Sequence, residues 1–517
     1  MNFPSRTGLL LILAAVLATV AHFNSWALPS LRWLYSFDAS PESYLEGSWR
    51  AHQGRYVGIA LSGMMVLVGL VFLARSRKFH WNPLTIRKME RFRSIGRGYG
   101  SYVLLVILLV LGFSDQLIVG KRALAVRHEG VWRFPAFVSR SYDASVFGQE
   151  GRGETDYRAL KEASAGSDTV VIMPAVPWDP TFDSDEKMEV ALEMRDGRLF
   201  EEGENQAYNG FAYAYDPNEP EREIRSARIR GGLTQGPAEV YGKDGAPVGR
   251  ETWDKGVKID SSVPESAAVP DAGRWVRRIY MPLPPSLSRQ HYLGTDSKGW
   301  DILAQLFGGM QVVFKASFLY LLLTYGFGIT IGSLMGYFGG FFDLFMQRVL
   351  EILSNVPFLL VVLIITANIG RDNINLATII LVFGIFSWIG VAIYLRTSTY
   401  REKVRDYVSA ARVLGAGSFQ VIRRHILPNA ISTIVTLVPF SVSSVIASLT
   451  ALDFLGFGVP DAYPSWGRLL NDGVENLGAP WIVTSVFAMM VLLLLLITFV
   501  GEAIREAFDP KKFTTYQ

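Results

Sequence analysis

Apolar blocks of about 20 residues recur along this chain, and they constrain its fold more tightly than any other feature. Eight can be drawn: Gly8–Leu28, Tyr56–Ala74, Tyr99–Leu117, Val312–Tyr337, Leu350–Ile369, Leu376–Leu395, Ala430–Leu452 and Trp481–Val500. A helix of roughly 20 apolar residues crosses about 30 Å of hydrocarbon, whereas a soluble helix interrupts its apolar positions with period 3.6. Of the 517 residues, half are apolar and only 19% are charged. The pattern predicts an all-α polytopic membrane protein of about eight spans. In the fifth block the continuous apolar run starts only at Val356, so Leu350–Asn355 must complete it.

Charge gives the orientation. The loop Arg75–Arg97 holds eight Lys/Arg against one acid, Glu90, and Arg396–Arg424 holds seven against two. Short basic loops stay on the cytoplasmic side. Alternation of the spans then places both termini in the cytoplasm and Lys121–Gln311 outside. Between Lys121 and Gln290 there are 23 Lys/Arg against 28 Asp/Glu, so the exported stretch is acidic while the remainder is basic.

Four parts follow. Residues 1–81 contain two spans and the start of a basic linker, and residues 82–120 contain the third span with its basic approach. Residues 121–287 form an inserted extracytoplasmic domain, and residues 288–517 hold five spans. The inserted part mixes strand-like runs ("DTVVIMPAV", "GFAYAYDP") with turn signals such as Asp244-Gly245, which predicts a β-rich domain. The chain has no cysteine, so this domain must hold together by burial without disulfides. "NSWALPS" after the first span lacks a clear small-x-small cleavage site, which favours a retained anchor over a signal peptide.

Catalytic signatures are missing. The six histidines form no HExxH pair, and no serine sits in a G-x-S-x-G turn. A phosphate-wrapping loop needs glycine five residues before its Gly-Lys, but Gly242-Lys243 has Pro237 there. No metal site or bound cofactor is expected on this chain.

The stretch "YVSAARVLGAGSFQVIRRHILPN" lies between two spans. Tyr407, Ala410, Ala411 and Leu414 make one apolar stripe at helical spacing. Gly415 supplies a left-handed helix end. Ser418 is placed to cap a second helix, with Phe419, Ile422 and Ile426 as its stripe and Pro428 as its stop. Arg412, Arg423 and Arg424 point away from the stripes. An amphipathic helix on the lipid surface and a DNA-binding helix-turn-helix would share this pattern. Anchoring at both ends leaves no room for the third helix a DNA-binding domain needs, so no nucleic-acid partner is expected.

The stretch resembles the EAA-type loop of ABC importer permeases, here residues 404–428. Ala410, Ala411, Gly415, Ile426 and Pro428 match that pattern, and Ser409 stands where glutamate is usual. "HYLGTDSKGWDILAQLFGG", "LDFLGFGVPDAYPSWGRLLNDG" and "GEAIREAFDPKK" resemble segments of the dipeptide/oligopeptide (DppC/OppC-type) permeases, with Trp300 in place of an arginine. The variant at Asp453 and the segment "RFRSIGRGYGSYVLLVILLVLG" are most similar to the microcin C/peptide (YejE-like) branch. The resemblance implies a type I importer permease core in a bacterial inner membrane that moves peptides or peptide-like compounds. It also implies a homologous permease subunit as heterodimer partner, ATPase subunits carrying ATP and Mg, and a periplasmic solute-binding protein. The coupling residues it implies are Tyr407, Ala410, Ala411, Leu414, Gly415, Phe419, Ile422, Ile426 and Pro428. A tethered receptor with an external sensor, a membrane enzyme, and a permease for nickel or another small solute are the competing readings.

Other residues stand out on physical grounds. Gly328, Gly332 and Gly336 make a small-xxx-small ridge for helix packing, either within the chain or against a sister permease. Asp453, an acid near hydrocarbon, either lines a path or anchors the Gly456–Gly458 turn. Glu351, Asn355 and Pro357 mark a candidate gate at the start of the fifth span, with an Arg348–Glu351 pair as the alternative.

Overall fold

The computed structural model describes residues 3–24, 26, 62–74, 83–138, 142–149, 154–164, 169–181, 183, 188–201, 204, 206–217, 219, 222–242, 247–264, 269–270, 273–279, 282–369, 376–460 and 463–508. The chain divides into a helical unit, Met1–Asn24, Leu28–Asp115 and Gln305–Gln517, and a second unit, Ser25–Ala27 and Gln116–Ala304.

In the helical unit α1 is Phe3–Phe23, α2 Ser62–Ala74, α3 Pro83–Ser94 and α4 Gly96–Phe113. The later helices are α5 Ile302–Phe338, α6 Gly340–Asn355, α7 Phe358–Ile369, α8 Leu376–Lys403 and α9 Asp406–Val413. Among the described residues four helices are long and apolar enough to cross a membrane: α4, α5, α8 and Pro480–Phe508; the apolar stretches Arg6–Ala21, Ser62–Ala74 and Val438–Phe454 are shorter. Parts of the blocks Gly8–Leu28 and Tyr56–Ala74 lie outside the described residues.

Two of the sequence blocks are broken rather than continuous. Leu350–Ile369 is divided between α6 and α7, because Pro357 holds the preceding Val356 in extended backbone, φ −76°, ψ 122°. Ala430–Leu452 is divided between the helical segment Leu427–Ile434 and the helix Val438–Phe454, whose first turn carries Pro439. The corner between α5 and α6 is made by Gly339 and Gly340, at φ +65° and +55°, a region that strains other residues.

The glycine ridge fixes α5 to α8. A Cβ on Gly332 would lie 2.4 Å from the Ala392 carbonyl oxygen, and one on Gly336 2.6 Å from that of Arg396. Gly328 faces Val391 and the Trp388 carbonyl in the same way. The ridge therefore packs within the chain, backbone against backbone, and is occupied by α8 rather than left open for a second subunit. Trp466 fixes a further seam, with its indole N–H donating to the Leu306 carbonyl at 3.0 Å and its ring against Gly309.

The second unit is β-rich. Its smaller sheet has the order β2-β1-β3, with β1 Ala125–His128, β2 Val131–Arg133 and β3 Val170–Ile172. Val126, Phe147, Tyr157 and Leu160 form its core. Among the described residues nine strands make the larger sheet: β4 Met188–Arg195, β5 Arg198–Glu201, β6 Gly210–Tyr215, β7 Glu223–Arg230, β8 Leu233–Thr234, β9 Gly236–Tyr241, β10 Pro247–Asp254, β11 Val257–Ser261 and β12 Arg274–Ile279. Its order is β11-β10-β9-β7-β6-β12-β4-β5, with β8 on β7, and its pairs are antiparallel. Three hairpins turn on a left-handed residue followed by glycine: Glu129-Gly130, Asp196-Gly197 and Lys255-Gly256. Such pairs match the strand twist. The expected turn at Asp244-Gly245 lies outside the described residues. Small apolar residues, Ala212, Ala214, Ala227 and Ala238, line the core under Ile224, Ile229 and Trp275.

Candidate functional site

The stretch between Arg405 and Asn429 folds as a tight helical hairpin. Its first arm, α9, ends at Leu414, and Gly415 follows at φ +84°. The Gly415 N–H donates to the Arg412 carbonyl at 2.9 Å and the Ala416 N–H to that of Ala411 at 3.0 Å. This paired closure satisfies carbonyls that a helix end leaves open. The second arm opens at Ser418, but Gly417 takes the capping position and no side-chain cap forms. The expected Ser418 cap is thus replaced by backbone closure, with the Val421 N–H on the Gly417 carbonyl at 3.0 Å.

The expected stop at Pro428 does not occur. After Ser418–Val421 the helix widens into a π segment, Ile422–Ile426, and then resumes as Leu427–Ile434. Proline lacks an N–H and its ring crowds the carbonyl four residues earlier. In the wider turn the Leu427 N–H reaches back to the Ile422 carbonyl, so the backbone passes Pro428 without a break. π segments of this kind recur at functional sites.

The hairpin presents two apolar faces. Val408, Ala411, Val421, Ile422 and Ile426 are buried, and all but Ala411 belong to one cluster around Tyr337. Ala410, Tyr407, Val413, Leu414 and Phe419 face outward, with Val413 and Leu414 87% exposed and Phe419 72%. The sequence stripes mixed these faces: Ala411, Ile422 and Ile426 hold the hairpin to its own chain, while Tyr407, Ala410, Leu414 and Phe419 are open. Val408 and Val413 belong to one face each, and the stripe spacing missed both. Tyr407 also closes the hairpin at its base. Its hydroxyl donates to Glu402 and accepts from the Asn429 amide at 2.9 Å. Burial, and then the Glu402 hydrogen bond, push its phenol above the ordinary 10.0.

Of the arginines, Arg412 lies over the Tyr337 ring at 5.0 Å and Arg423 over Phe419 at 5.7 Å. Beside the hairpin, Asp343 of α6 takes a two-pronged ion pair from Arg396 of α8 and a hydrogen bond from Tyr400 at 2.9 Å. No sequence signal marked this clamp, because its partners lie 53 and 57 positions apart.

The remaining candidates have these partners. Asp453 is buried, accepting from the Val459 N–H at 2.7 Å and from the Ser465 hydroxyl at 2.6 Å. It anchors the loop after its helix, and a Cβ on Gly458 would fall 1.6 Å from its oxygen. Glu351 pairs with Arg348, and the Asn355 amide donates to the Glu351 carbonyl at 2.8 Å. Pro357 marks the α6–α7 break. Among the described residues no group of three or more His, Asp or Glu converges as a metal site.

A family model described as the inner membrane component of binding-protein-dependent transport systems matches residues 328–514, which include the hairpin. The inner membrane ABC transporter permease protein YejE of Escherichia coli is 31% identical over 433 residues, covering 83% of this chain and 98% of that protein. The peptidoglycan transport system permease protein YejE of Agrobacterium fabrum is 40% identical over 227 residues, 44% of this chain and 59% of that protein. The oligopeptide transport system permease protein OppC of Haemophilus influenzae is 32% identical over 228 residues, 44% of this chain and 72% of that protein. With the hairpin, the apolar helices and an inserted β-rich unit already in place, this similarity identifies the chain as a member of the inner-membrane permeases of binding-protein-dependent ABC transporters.

Proposed function

We propose that this permease carries peptides or peptide-like compounds across a bacterial inner membrane, driven by separate ATPase subunits that seat on the Tyr407–Pro428 hairpin. The observation that carries the reading is the hairpin's outward face. Val413, Leu414 and Phe419 are apolar side chains left 72–87% exposed around the turn of a basic segment. Burying each in a partner's groove is worth about 1.5–3 kcal/mol. The relatives named for oligopeptide and peptidoglycan transport support the substrate class.

In this reading the chain crosses the membrane eight times, with both termini and the hairpin in the cytoplasm and the β-rich unit outside. A homologous permease completes the path as a heterodimer, and a periplasmic binding protein delivers the substrate. ATP and Mg sit on the ATPases. Nucleotide-driven approach of the ATPases moves the hairpin, and the helices attached to it switch between two packings.

The test is co-purification. Leu414→Asp and Phe419→Asp should each release the ATPase subunits from the detergent-solubilised complex while the permease melts at its usual temperature. Full retention of the ATPases by the double variant would sink the docking face. Uptake of labelled peptides by proteoliposomes of the assembled transporter tests the substrate class, and uptake of nickel instead would replace it.

A further inference from the structure

We infer that Tyr337 is the positioning residue that passes hairpin movement to α5. The inference rests on the hairpin reading above and names the joint through which that reading works. Tyr337 is the penultimate residue of α5, and its ring fills the hairpin's inner face against Val408, Val421, Ile422 and Ile426. Both arms therefore close on one side chain. Two cations flank the same ring: Arg412 of the first arm at 5.0 Å and Lys403 at the end of α8 at 5.7 Å. A cation over an aromatic face is held by the ring quadrupole, so Tyr337 binds the arm and the helix that leads into it.

One residue earlier, Gly336 brings α5 against the Arg396 carbonyl and the Thr399 side chain of α8. Two and three residues later, Gly339 and Gly340 turn the chain into α6, which Asp343 ties to Arg396. The end of α5 is thus enclosed by α8, α6 and the hairpin together. Tyr337 is the α5 side chain whose ring links both arms to the start of that enclosure. Removing the ring leaves the hairpin attached through α8 and loosens its direct hold on α5, where Leu334 is the other side chain packed on the cluster.

The test uses the natural absence of cysteine in this chain. Spin labels at Gln420→Cys, on the second arm, and Thr330→Cys, on α5, report the distance between hairpin and helix in the complete transporter. The probes are the nucleotide-free and ATP–vanadate states. With Tyr337 in place the distance peak stays single and unmoved between the two states. Tyr337→Leu keeps an apolar side chain in the site but lacks the ring face, and its peak should shift on ATP–vanadate while the ATPases remain bound. Tyr337→Phe should restore the unmoved peak. An unmoved peak in Tyr337→Leu with ATPases retained would overturn this inference alone. Loss of the ATPases from the unsubstituted complex would instead overturn the hairpin reading.

Discussion

Asp343 and Arg396 meet as a two-pronged pair, with Nε on Oδ1 at 2.5 Å and Nη2 on Oδ2 at 2.7 Å, in a site where Asp343 is 4% exposed. Removing the arginine strands a buried carboxylate, at a cost of about 1–3 kcal/mol, since the Arg396 side chain is itself a quarter exposed. Arg396→Met leaves the carboxylate with only Tyr400 and Gln347 as hydrogen-bonding side chains. It should lower the melting temperature of the detergent-solubilised permease sharply. The double variant Asp343→Leu/Arg396→Met should recover most of that loss. Equal melting of the single and double variants would show that the pair carries no coupling.

The glycine ridge makes a second prediction with an internal control. At Gly332 an added Cβ meets the Ala392 backbone at 2.4–3.0 Å, and that backbone cannot withdraw without moving α8. At Gly326, in the same helix, an added Cβ meets nothing within 4 Å. Gly332→Ala should therefore cost at least about 2 kcal/mol through forced overpacking. Gly326→Ala should be neutral or slightly stabilising through helix propensity. Matched thermal melts of the two variants decide it, and similar behaviour would refute the close approach.

The same contrast shows what the sequence could reveal. The hairpin turn was readable because Gly415 acts locally: a left-handed residue ends a helix wherever that helix sits. The ridge was readable as a packing surface, but its partner was not, since α8 begins 48 residues after Gly328. The faces of the hairpin were misassigned for a related reason. Helical spacing gives two apolar strips, and distant side chains such as Tyr337, 70 residues before Tyr407, determine which strip is covered. Taken alone, the sequence makes Pro428 a stop, because an isolated helix ends there. Packing of Ile422 and Ile426 around Tyr337 supports the wider turn that carries the chain past it. The β-rich unit was legible as strand and turn composition, whereas its sheet order depends on pairings far apart in the chain.

Asp453 invites a test between anchoring and transport. Its carboxylate receives the Val459 N–H and the Ser465 hydroxyl. Asp453→Ala leaves both donors buried without this acceptor, at about 1–3 kcal/mol each. Asp453→Asn keeps an acceptor for Val459, and the Ser465 hydroxyl can rotate to accept from the new amide. The expected order of melting temperature is wild type, then Asn, then Ala. Uptake per folded molecule should stay unchanged in the Asn variant. Normal melting with abolished uptake would return Asp453 to the translocation path.

The last prediction concerns pH and the β-rich unit. Tyr157 is 2% exposed within the core of the small sheet. Burial first, and then the nearby Glu154 carboxylate, raise its phenol from 10.0 to about 12. The folded chain therefore keeps this proton at pH values where the unfolded chain has released it. The associated stability is fully present below pH 10 and is lost as pH rises from 10 through about 12. The loss should be on the order of 2 kcal/mol from a shift of this size. Tyr157→Phe removes the titration and keeps the ring that packs edge-on against Phe147. Near-ultraviolet circular dichroism melts of the two proteins should run in parallel up to pH 10 and diverge above it, with the phenylalanine variant the more stable. Curves that stay parallel to pH 11.5 would show that the Tyr157 hydroxyl titrates like one in water.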